Sequence, residues 1–420
     1  MAQHLYFARD SKLFIEFNGT VWEIPVLDGF SFTQSTNSTE ITLSEMESSL
    51  GVSRRGRRAF NDSLAPVEWS FSTYVRPFVS AGTGLGAADS AANHHAVEEI
   101  LWALWSGADT YSSGAFSRSG GGDVTVTDTT DLNIDFSESN VSSLGTCNLY
   151  FVLGSSNRQV YKISGAAVNE ASIDFEIDGI ASINWSGMGA EIADMWPSTI
   201  ESAAQPTDGD TTNDSSDIAV GDIWLDSDDN YRLRTLTNVT AASEASTTLI
   251  YEATNATDNF IRNRLSTLVV DGTGQSGLEN SYSMTLTGGN ITMSNNITYI
   301  TPEELGVVNV PIGHVTGTRS VSGSFTCYLN RDDTSSNDTY SSNFFEDMKA
   351  IYNTITNDVA LTFKIGGSTT TPNLEVDMQN CHIEIPTHSI EDVITVETTF
   401  QALPSGIDAT DDATLTYKGA

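Results

Sequence analysis

VEWSFSTYVR, from Val67 to Arg76, and VSGSFTCYLN, from Val321 to Asn330, are two versions of one strand. Both alternate apolar and polar residues with a period of two, which is typical of a strand with one buried face. The apolar positions are Val67, Trp69, Phe71, Thr73 and Val75 in the first, and Val321, Gly323, Phe325, Cys327 and Leu329 in the second. The offset is 321 − 67 = 254, and the same face is apolar in both, so the sequence predicts a repeated strand.

A short amphipathic helix is predicted after each of these strands. The apolar positions follow one helix face: Val97, Ile100, Leu101 and Leu104 in the first helix, and Phe344, Phe345, Met348, Ile351 and Tyr352 in the second. The acidic pairs Glu98–Glu99 and Glu346–Asp347 align at an offset of 346 − 98 = 248. Asn93 and Asn343 are suited to cap the free N–H groups, so we expect each helix to begin after its asparagine.

A further strand follows each helix, as LYFVLG from Leu149 and LTFKIG from Leu361. Here the offset is 361 − 149 = 212, which is 36 less than the helix offset of 248, so the first repeat carries 36 extra residues. They fall in the glycine- and serine-rich stretch from Gly107 to Gly145, which reads as a long loop.

The repeats divide the chain into two modules and an insertion. Residues 1–194 form the first module and residues 257–420 the second. Residues 195–256 form a linker or small β-rich subdomain, expected on an outer surface because of its Asp, Asn and Ser content. Within it, DIWL from Asp222 and YRLR from Tyr231 predict a hairpin, and TLIY from Thr248 could add a third strand.

The charge excludes several classes of function. Across 420 residues, 55 Asp and Glu stand against 19 Lys and Arg, a formal net charge of −36. Such a surface repels phosphate backbones and anionic membranes, so specific nucleic-acid binding and membrane docking are not expected. A channel wall that lets DNA pass without binding it would be acidic for the same reason.

Catalytic and metal-binding signatures are weak. The three cysteines, Cys147, Cys327 and Cys381, match no disulfide framework or zinc spacing, and MAQHLYFARDSK at the start shows no signal peptide. His94-His95, expected to begin the first helix, has no second ligand pair at a suitable spacing. Asp226-x-Asp-x-Asn230 begins like a calcium loop, but Tyr231 stands where that loop needs glycine, which favours an acidic turn. We therefore expect no enzyme, metal or cofactor.

Four segments are similar to the tail tube proteins of long-tailed bacteriophages, in particular to those that carry two fused tube modules. They are residues 26–42 (VLDGFSFTQSTNSTEIT), 53–77 (SRRGRRAFNDSLAPVEWSFSTYVRP), 286–306 (LTGGNITMSNNITYITPEELG) and 311–330 (PIGHVTGTRSVSGSFTCYLN). The resemblance extends over most of the chain outside residues 195–256.

The resemblance implies a mainly β fold of two tandem β-sandwich modules, each with one short flanking α-helix. It also implies a homotrimeric, pseudo-hexameric ring, in which rings stack into a tube around a tape-measure protein and later conduct DNA. Tail terminator and baseplate proteins would then be partners, with a sheath in a contractile tail. The tail would be assembled in the host bacterial cytoplasm.

The resemblance further implies that the long loop before the repeated strand contacts the neighbouring ring. In module 1 this loop carries Arg54, Arg55, Arg57 and Arg58; in module 2 it carries Pro302, Glu303, Glu304, His314 and Arg319. Arginine suits ion pairs between subunits; a solvated basic loop and a DNA contact are the alternatives. The expected module core consists of Trp69, Phe71, Leu101, Phe325, Met348 and Phe400.

Other functions remain open at this point. A different β-sandwich virion protein, such as a capsid decoration protein, would share the alternating strands. A carbohydrate-binding adhesin would too, although the start of the chain shows no signal peptide. Among enzymes, a polysaccharide depolymerase is the alternative, but the sequence does not identify a pair of carboxylates that would act as its catalytic acid and base.

Overall fold

The computed structural model of the chain describes residues 5–40, 58–79, 93–112, 115–118, 123–124, 131–136, 144–228, 230–239, 247–249, 259–273, 277–278, 281–331, 340–350, 359–367, 372–390, 393–407 and 409–418. These residues form a mainly β structure, as the sequence predicted.

The strands of the first part of the chain are β1 (Lys12–Phe17), β2 (Thr20–Ile24), β3 (Ser31–Thr33), β4 (Thr36–Glu40), β5 (Ala59–Leu64), β6 (Val67–Tyr74), β7 (Pro77–Val79), β8 (His94–Ala96), β9 (Thr110–Ser112), β10 (Ala115–Ser117), β11 (Asp123–Val124), β12 (Leu132–Asp135), β13 (Cys147–Leu153), β14 (Gln159–Glu176), β15 (Ser182–Gly189), β16 (Glu191–Asp194), β17 (Thr199–Ser202), β18 (Ile223–Asp226), β19 (Arg232–Thr235) and β20 (Thr247–Leu249).

The remaining strands are β21 (Thr267–Asp271), β22 (Tyr282–Met284), β23 (Leu286–Ser294), β24 (Thr298–Ile300), β25 (Gly313–Val315), β26 (Ser320–Tyr328), β27 (Val359–Ile365), β28 (Asn373–Ile383), β29 (Thr387–Ile390), β30 (Ile394–Ala402) and β31 (Thr414–Lys418). The described residues also form helices α1 (Glu99–Trp105) and α2 (Ser341–Ala350), with 3-10 turns at Ala8–Asp10 and Asn263–Leu265.

The two repeated strands are β6 and β26, and each buries the side that the alternation predicts. In β6, Trp69 and Phe71 are buried while Glu68 faces solvent. In β26, Val321 and Phe325 are buried while the intervening residues are partly exposed. The period of two therefore sets which face of each sheet meets the core.

Residues 12–194, called here the N-terminal half, and residues 267–418, the C-terminal half, share one order of strand pairing. In the N-terminal half the order is β2-β1-β13-β14-β15-β6-β3, with β16 also paired to β14. In the C-terminal half it is β22-β21-β27-β28-β30-β26-β23, with β31 also paired to β28. In each half one long strand, β14 or β28, belongs to two sheets. The sheet called outer here contains β2, β1 and β13 in the N-terminal half and β22, β21 and β27 in the C-terminal half. The sheet called inner contains β15, β6 and β3 in the N-terminal half and β30, β26 and β23 in the C-terminal half.

In the N-terminal half the linking strand is β14. Its residues up to Ala166 pair with β13, and its residues from Ala167 pair with β15. Gly165 has a φ of 61°, and the register shifts between Val168 and Glu170. A glycine and a bulge at this place let one strand bend from one sheet into the other.

The two halves are joined within the chain at two places. β14 pairs with β23 in antiparallel register, with Ile173 opposite Ile291, so the inner sheets of both halves form one surface. In addition, β12 pairs with the last strand, β31. The apolar core is continuous across the junction, where Phe175 and Phe363 have ring centroids 5.5 Å apart.

The expected helix starts were wrong. His94-His95 does not begin a helix; it lies in β8, which pairs with β7, and α1 begins at Glu99. Asn343 lies inside α2 and does not cap it. α1 is also buried on all sides, because it is covered by Trp185 of one sheet and by Phe136 and Tyr417 near the β12–β31 pair.

Two expectations about loops were also wrong. The stretch from Gly107 to Gly145 contains four strands, β9 to β12, where a long loop was expected. In the insertion, β18 and β19 form the expected hairpin, but β20 pairs in parallel with β2, and the third strand beside β18 is β17. The hairpin packs through Ile223, Leu225 and Leu233 on the outer sheet. Long-range pairings of this kind leave no local sequence signal.

Candidate assembly surfaces

The inner sheet presents a polar face on the side opposite the core. It is formed by β6, β15, β23, β26, β30 and the part of β14 from Glu170 to Glu176, and these strands contain no lysine, arginine or histidine. The carboxylates on this polar face are Glu68, Glu170, Asp174, Glu176 and Glu397.

Short hydrogen bonds link the strands across the polar face. The Ser72 hydroxyl donates to Asn184 Oδ1 at 2.6 Å, and Asn184 Nδ2 donates to Asp174 Oδ2 at 2.9 Å. Ser324 Oγ donates to Asn290 Oδ1 at 2.8 Å. These cross-strand hydrogen bonds restrict the hydroxyl, amide and carboxylate side chains of the polar face to fewer rotamers.

The combined inner sheet ends in two edges that pair on one side only among the described strands. At one end β3 pairs with β6, and at the other β29 pairs with β30. All four residues of β29 are exposed, and Ile390 is 79% exposed. Unpaired N–H and C=O groups at a sheet edge are ready to pair with another strand.

Strands β24 and β25 and the loop between them form a hairpin over residues 298–315. The loop of this hairpin is apolar and exposed. Leu305 is fully exposed, Ile312 is 70% exposed, and Val307, Val308 and Val310 also face solvent. The base of this 298–315 hairpin packs on the N-terminal half, where Tyr299 donates to the carbonyl of Gly165. An exposed aliphatic cluster on a well-anchored hairpin marks an interaction surface.

The residues expected to contact a neighbouring ring occupy different environments. Arg54, Arg55 and Arg57 lie outside the described residues, whereas Arg58 is exposed directly before β5. Glu303 and Glu304 are exposed and Pro302 is half-buried on the 298–315 hairpin.

His314 and Arg319 point into the protein. His314 is buried, its Nε2 accepts a hydrogen bond from the Leu144 N–H at 3.0 Å, and burial lowers its pKa. Arg319 pairs with Asp412 at 2.8 Å and donates to the carbonyls of Phe136 and Thr410. His314 thus ties the hairpin to Leu144, whereas Arg319, just before β26, ties that strand's start to Phe136 and to residues 410–412.

The residues expected in the core are buried in both halves: Trp69, Phe71, Leu101, Phe325, Met348 and Phe400. Trp69 stacks on Phe71 at 5.3 Å, and Phe325 and Phe400 lie 6.3 Å apart.

A buried polar cluster at the end of α1 was not anticipated from the sequence. Tyr417 Oη donates to Glu98 Oε1 at 2.8 Å and accepts from Trp102 Nε1 at 2.7 Å. Burial raises the pKa of Glu98 to about 7. The partners are 319 residues apart in sequence, so no local pattern could have indicated them.

The part of the chain that the structure describes contains no group of three His, Cys, Asp or Glu side chains that could hold a metal ion. Asp226 is the last residue of β18; its Oδ1 accepts from the Asp228 N–H of the following turn at 3.2 Å, and its Oδ2 lies 3.5 Å from Arg234 Nε. Over the same described residues, neither helix is long and apolar enough for a membrane span.

The described residues thus form a mainly β structure with a polar sheet face, open sheet edges and an exposed apolar hairpin. The chain is similar to Tail tube protein pb6 of Escherichia phage T5, with 26% identity over 397 residues, covering 94% of this chain and 70% of the relative. This likeness confirms the resemblance to phage tail tube proteins and the structural, non-enzymatic class of the protein.

No family model matches the chain. A solved chain from the tail of an empty GTA particle, computed with helical refinement in C6 symmetry, has a TM-score of 0.22 and 12% identity, covering 33% of this chain and 91% of that chain.

Proposed function

We propose that this protein is the subunit of a phage tail tube, in which its two halves act as two tube modules and three copies close into a ring. The observation that carries the proposal is the β14–β23 pairing, which joins two inner sheets of the same strand order inside one chain. It is supported by the likeness to a phage tail tube protein over 94% of the chain.

The pairing registers support an internal duplication. Ile173 pairs with Ile183, which pairs with Thr73, and His388 pairs with Val396, which pairs with Cys327. Thr73 and Cys327 are related by the offset 327 − 73 = 254, so Ile173 and His388 occupy equivalent places. Likewise, Phe32 pairs with Trp69, and Ile291 pairs with Gly323. Because Trp69 and Gly323 are related by the same offset, 323 − 69 = 254, Phe32 and Ile291 also occupy equivalent places.

This equivalence defines how one copy would join the next. Within the chain Ile173 lies opposite Ile291, so between copies His388 of β29 would lie opposite Phe32 of β3. By the same register Thr387 would face Thr33 and Ser389 would face Ser31. Three copies would then supply six inner sheets, and closure of the ring would leave no unpaired edge.

The polar face would line the channel of the ring. Its carboxylates, with no cation on the strands that form it, repel a DNA backbone at every point of contact. A wall of this charge lets a polyanion pass without binding it. The subunit would therefore form an acidic channel that conducts DNA during ejection from a virion tail assembled in the host cytoplasm.

Stacking of rings would involve the loops before the repeated strands. Glu303, Glu304 and the apolar tip of the 298–315 hairpin are exposed and available for such contacts. The arginines 54, 55, 57 and 58 would serve in the corresponding loop of the first module. Tape-measure, terminator and baseplate proteins, with a sheath in a contractile tail, would be the other partners.

Cysteine pairs test the register between copies. Ser31→Cys with Ser389→Cys would place two thiols directly opposite, at roughly 5 Å between Cα atoms, within the range of a disulfide. Oxidation is expected to give covalent closed rings on a non-reducing gel, and electron microscopy is expected to show annular particles. The native cysteines are buried and do not compete.

The matched control is Thr33→Cys with Ser389→Cys, which shifts the pair by two residues and moves the Cα atoms to roughly 8 Å apart, beyond disulfide reach. Equal cross-linking of both pairs, or annular particles in which the first pair stays reduced, would contradict the proposed register. A chain that stays monomeric at all concentrations would contradict the ring itself.

A further inference from the structure

Helix α1 of the N-terminal half is covered by the last strand of the C-terminal half. Tyr417 of β31 donates from its hydroxyl to Glu98 Oε1 at 2.8 Å and accepts from Trp102 Nε1 at 2.7 Å. Glu98, directly before α1, and Trp102 within it are fully buried. Strand β12 pairs with β31, and the rings of Phe136, just after β12, and Trp105 have centroids 4.7 Å apart. The junction inside the chain therefore has two parts, the β14–β23 pairing and the contact of α1 with β31.

Helix α2 of the C-terminal half lacks such a cover among the described residues. At the offset of 248, Glu346 corresponds to Glu98 and Ala350 to Trp102. Glu346 and Ala350 are exposed, as is Lys349 on the same side of α2. Strand β12 comes from the stretch in which the first repeat is 36 residues longer, so the second repeat has no matching residues to cover α2. α2 thus presents a bare face at the place where α1 is buried.

Strand β16 of the N-terminal half corresponds to β31 of the C-terminal half. Tyr161 and Val376 pair with the phenylalanines of LYFVLG and LTFKIG, respectively, so they occupy equivalent places. Tyr161 pairs next with Asp194 of β16, and Val376 pairs next with Leu415 of β31. Asp194 and Leu415 are therefore equivalent as well.

Two residues beyond this pair, Trp196 corresponds to Tyr417. Tyr417 is buried against α1, whereas Trp196 is 39% exposed. The backbone of Trp196 is held on both sides, because its N–H donates to Asp194 Oδ1 at 2.9 Å and its carbonyl accepts from Asn213 Nδ2 at 3.1 Å. The indole ring is thus fixed at the surface by its backbone and remains open to a partner.

Resting on the tube function proposed above, we propose that α2 of one copy docks on β16 and Trp196 of the next copy, as α1 docks on β31 and Tyr417 within the chain. The Trp196 Nε1 donates to the Glu346 carboxylate, as the Tyr417 hydroxyl donates to Glu98. Ala350, in the place of Trp102, leaves room for an indole ring that is larger than the phenol ring of tyrosine. The pairing of β29 with β3 of the next copy would bring these two surfaces together.

The start of β16 is arranged for a contact through side chains. Among the described strands β16 pairs only with β14. The Gln34 side chain bonds to its first residues: Nε2 donates to the carbonyl of Ala190 at 3.1 Å, and Oε1 accepts from the Ile192 N–H at 3.2 Å. This amide occupies backbone groups that an added strand would need, whereas β31 pairs with β12. The docking between copies therefore adds no strand to the sheet.

Charge does not drive this docking. Both surfaces carry more carboxylates than cations, namely Glu346, Asp347 and Lys349 on α2, and Glu191, Asp194, Asp214 and Lys162 on or beside β16. The Asp347 carboxylate already accepts from the Tyr282 hydroxyl, and Asp194 accepts from Gln159. The repulsion between exposed charges is small and is screened by salt. Packing of the indole ring and its hydrogen bond therefore carry the contact.

A reciprocal exchange of side chains tests the docking. Ala350→Trp is expected to raise the protein concentration at which rings form at least about tenfold, because the new indole takes the space of Trp196. Adding Trp196→Tyr rebuilds the pair that Trp102 and Tyr417 form within the chain, and is expected to restore ring formation towards the wild-type level. Analytical ultracentrifugation measures this concentration. Ring formation that Ala350→Trp leaves unchanged, or no recovery in the double variant, would overturn the docking.

Truncation of Trp196 gives an independent measurement. Trp196→Ala is expected to raise the protein concentration for rings at least about tenfold, while the midpoint of urea unfolding of the single chain stays unchanged. The matched control is Val220→Ala, which shortens an apolar side chain of the insertion that is 66% exposed and is expected to leave ring formation as it is. Equal effects of the two truncations would contradict the docking site.

The docking and the ring proposal fail in different ways. Wild-type rings whose formation is insensitive to residues 196 and 350 would overturn the docking and leave the ring standing. A wild-type chain that forms no rings would overturn the tube function and, with it, the docking that rests on it.

Discussion

At the scale of single residues, Glu98 is a buried carboxyl group with an altered acidity. Its Oε1 accepts from Tyr417, the Arg76 N–H approaches it at 3.4 Å, and Oε2 is buried without a hydrogen-bond partner among the described residues. Burial raises the pKa of Glu98 to about 7. The folded state therefore holds this proton more tightly than the unfolded state does.

That difference predicts a pH-dependent stability. A carboxyl group whose pKa is raised on folding stabilises the fold fully below its unfolded value of 4.5, and this contribution is lost as the pH rises through the window from 4.5 to about 7. Glu98→Gln removes the titrating group, so the decline in the free energy of unfolding across this window should become shallower.

Urea unfolding at a series of pH values, with Glu384→Gln as an exposed control, measures the decline. An unchanged pH profile in Glu98→Gln would show that Glu98 does not titrate in this window.

At the scale of elements, the two seams of the proposed ring are not equal. Inside the chain, β14 meets β23 through Ile173 and Ile291, both buried. Between copies, β29 would meet β3 through His388 and Phe32. His388 lies against Phe345 of α2, with ring centroids 4.4 Å apart, and is exposed in the single chain. In the proposed assembly, the polar imidazole of His388 at the seam between copies would make that contact weaker than the contact within the chain.

His388→Ile places at the proposed β29–β3 seam the isoleucine that Ile173 provides at the β14–β23 seam. Burying an isoleucine contributes roughly 1.5–3 kcal/mol relative to leaving it exposed, so the protein concentration at which rings form should fall by about tenfold or more. Analytical ultracentrifugation measures this concentration. The matched control is His382→Ile, an exposed histidine on β28 away from β29, and an equal shift in both variants would argue against the seam.

At the scale of the whole molecule, the proposed channel function depends on the sign of charge on the polar face of the inner sheet. The net charge of −36 is shared by many surfaces, but the strands of the polar face carry acidic residues without any basic residue. In a closed tube, that face would be concave and its potential would add across copies. The same carboxylates on an outer surface would be screened by salt.

Glu68→Lys with Glu397→Lys should therefore turn a repelling wall into a binding one. Tubes of this variant are expected to retain short duplex DNA at low salt and to release it as salt rises, because each lysine displaces counterions from the phosphates. Co-sedimentation of labelled DNA measures retention. The control, Asp208→Lys with Asp217→Lys on the insertion, has the same net charge, and equal DNA retention by both variants would contradict a channel role for the polar face.

The sequence predicted the mainly β class, the strands β6 and β26 with their buried faces, and the hairpin β18–β19, because these depend on neighbours two residues apart or on short turns. It also indicated the resemblance to tail tube proteins. It did not predict that Trp69 covers Gly187 in one half while Phe400 covers Gly323 in the other, where a Cβ on either glycine would approach the ring closer than 3 Å.

Only the tertiary structure decided how the halves are held together. The sequence determined the alternation of each strand, since burial of one face fixes a local period. Four contacts join residues that lie more than 90 positions apart in the chain. They are the pairing of β14 with β23, the pairing of β12 with β31, the hydrogen bond from Tyr417 to Glu98 and the ion pair of Arg319 with Asp412. Such partners are selected by the energy of packing distant surfaces together, which leaves no periodic signal in the chain.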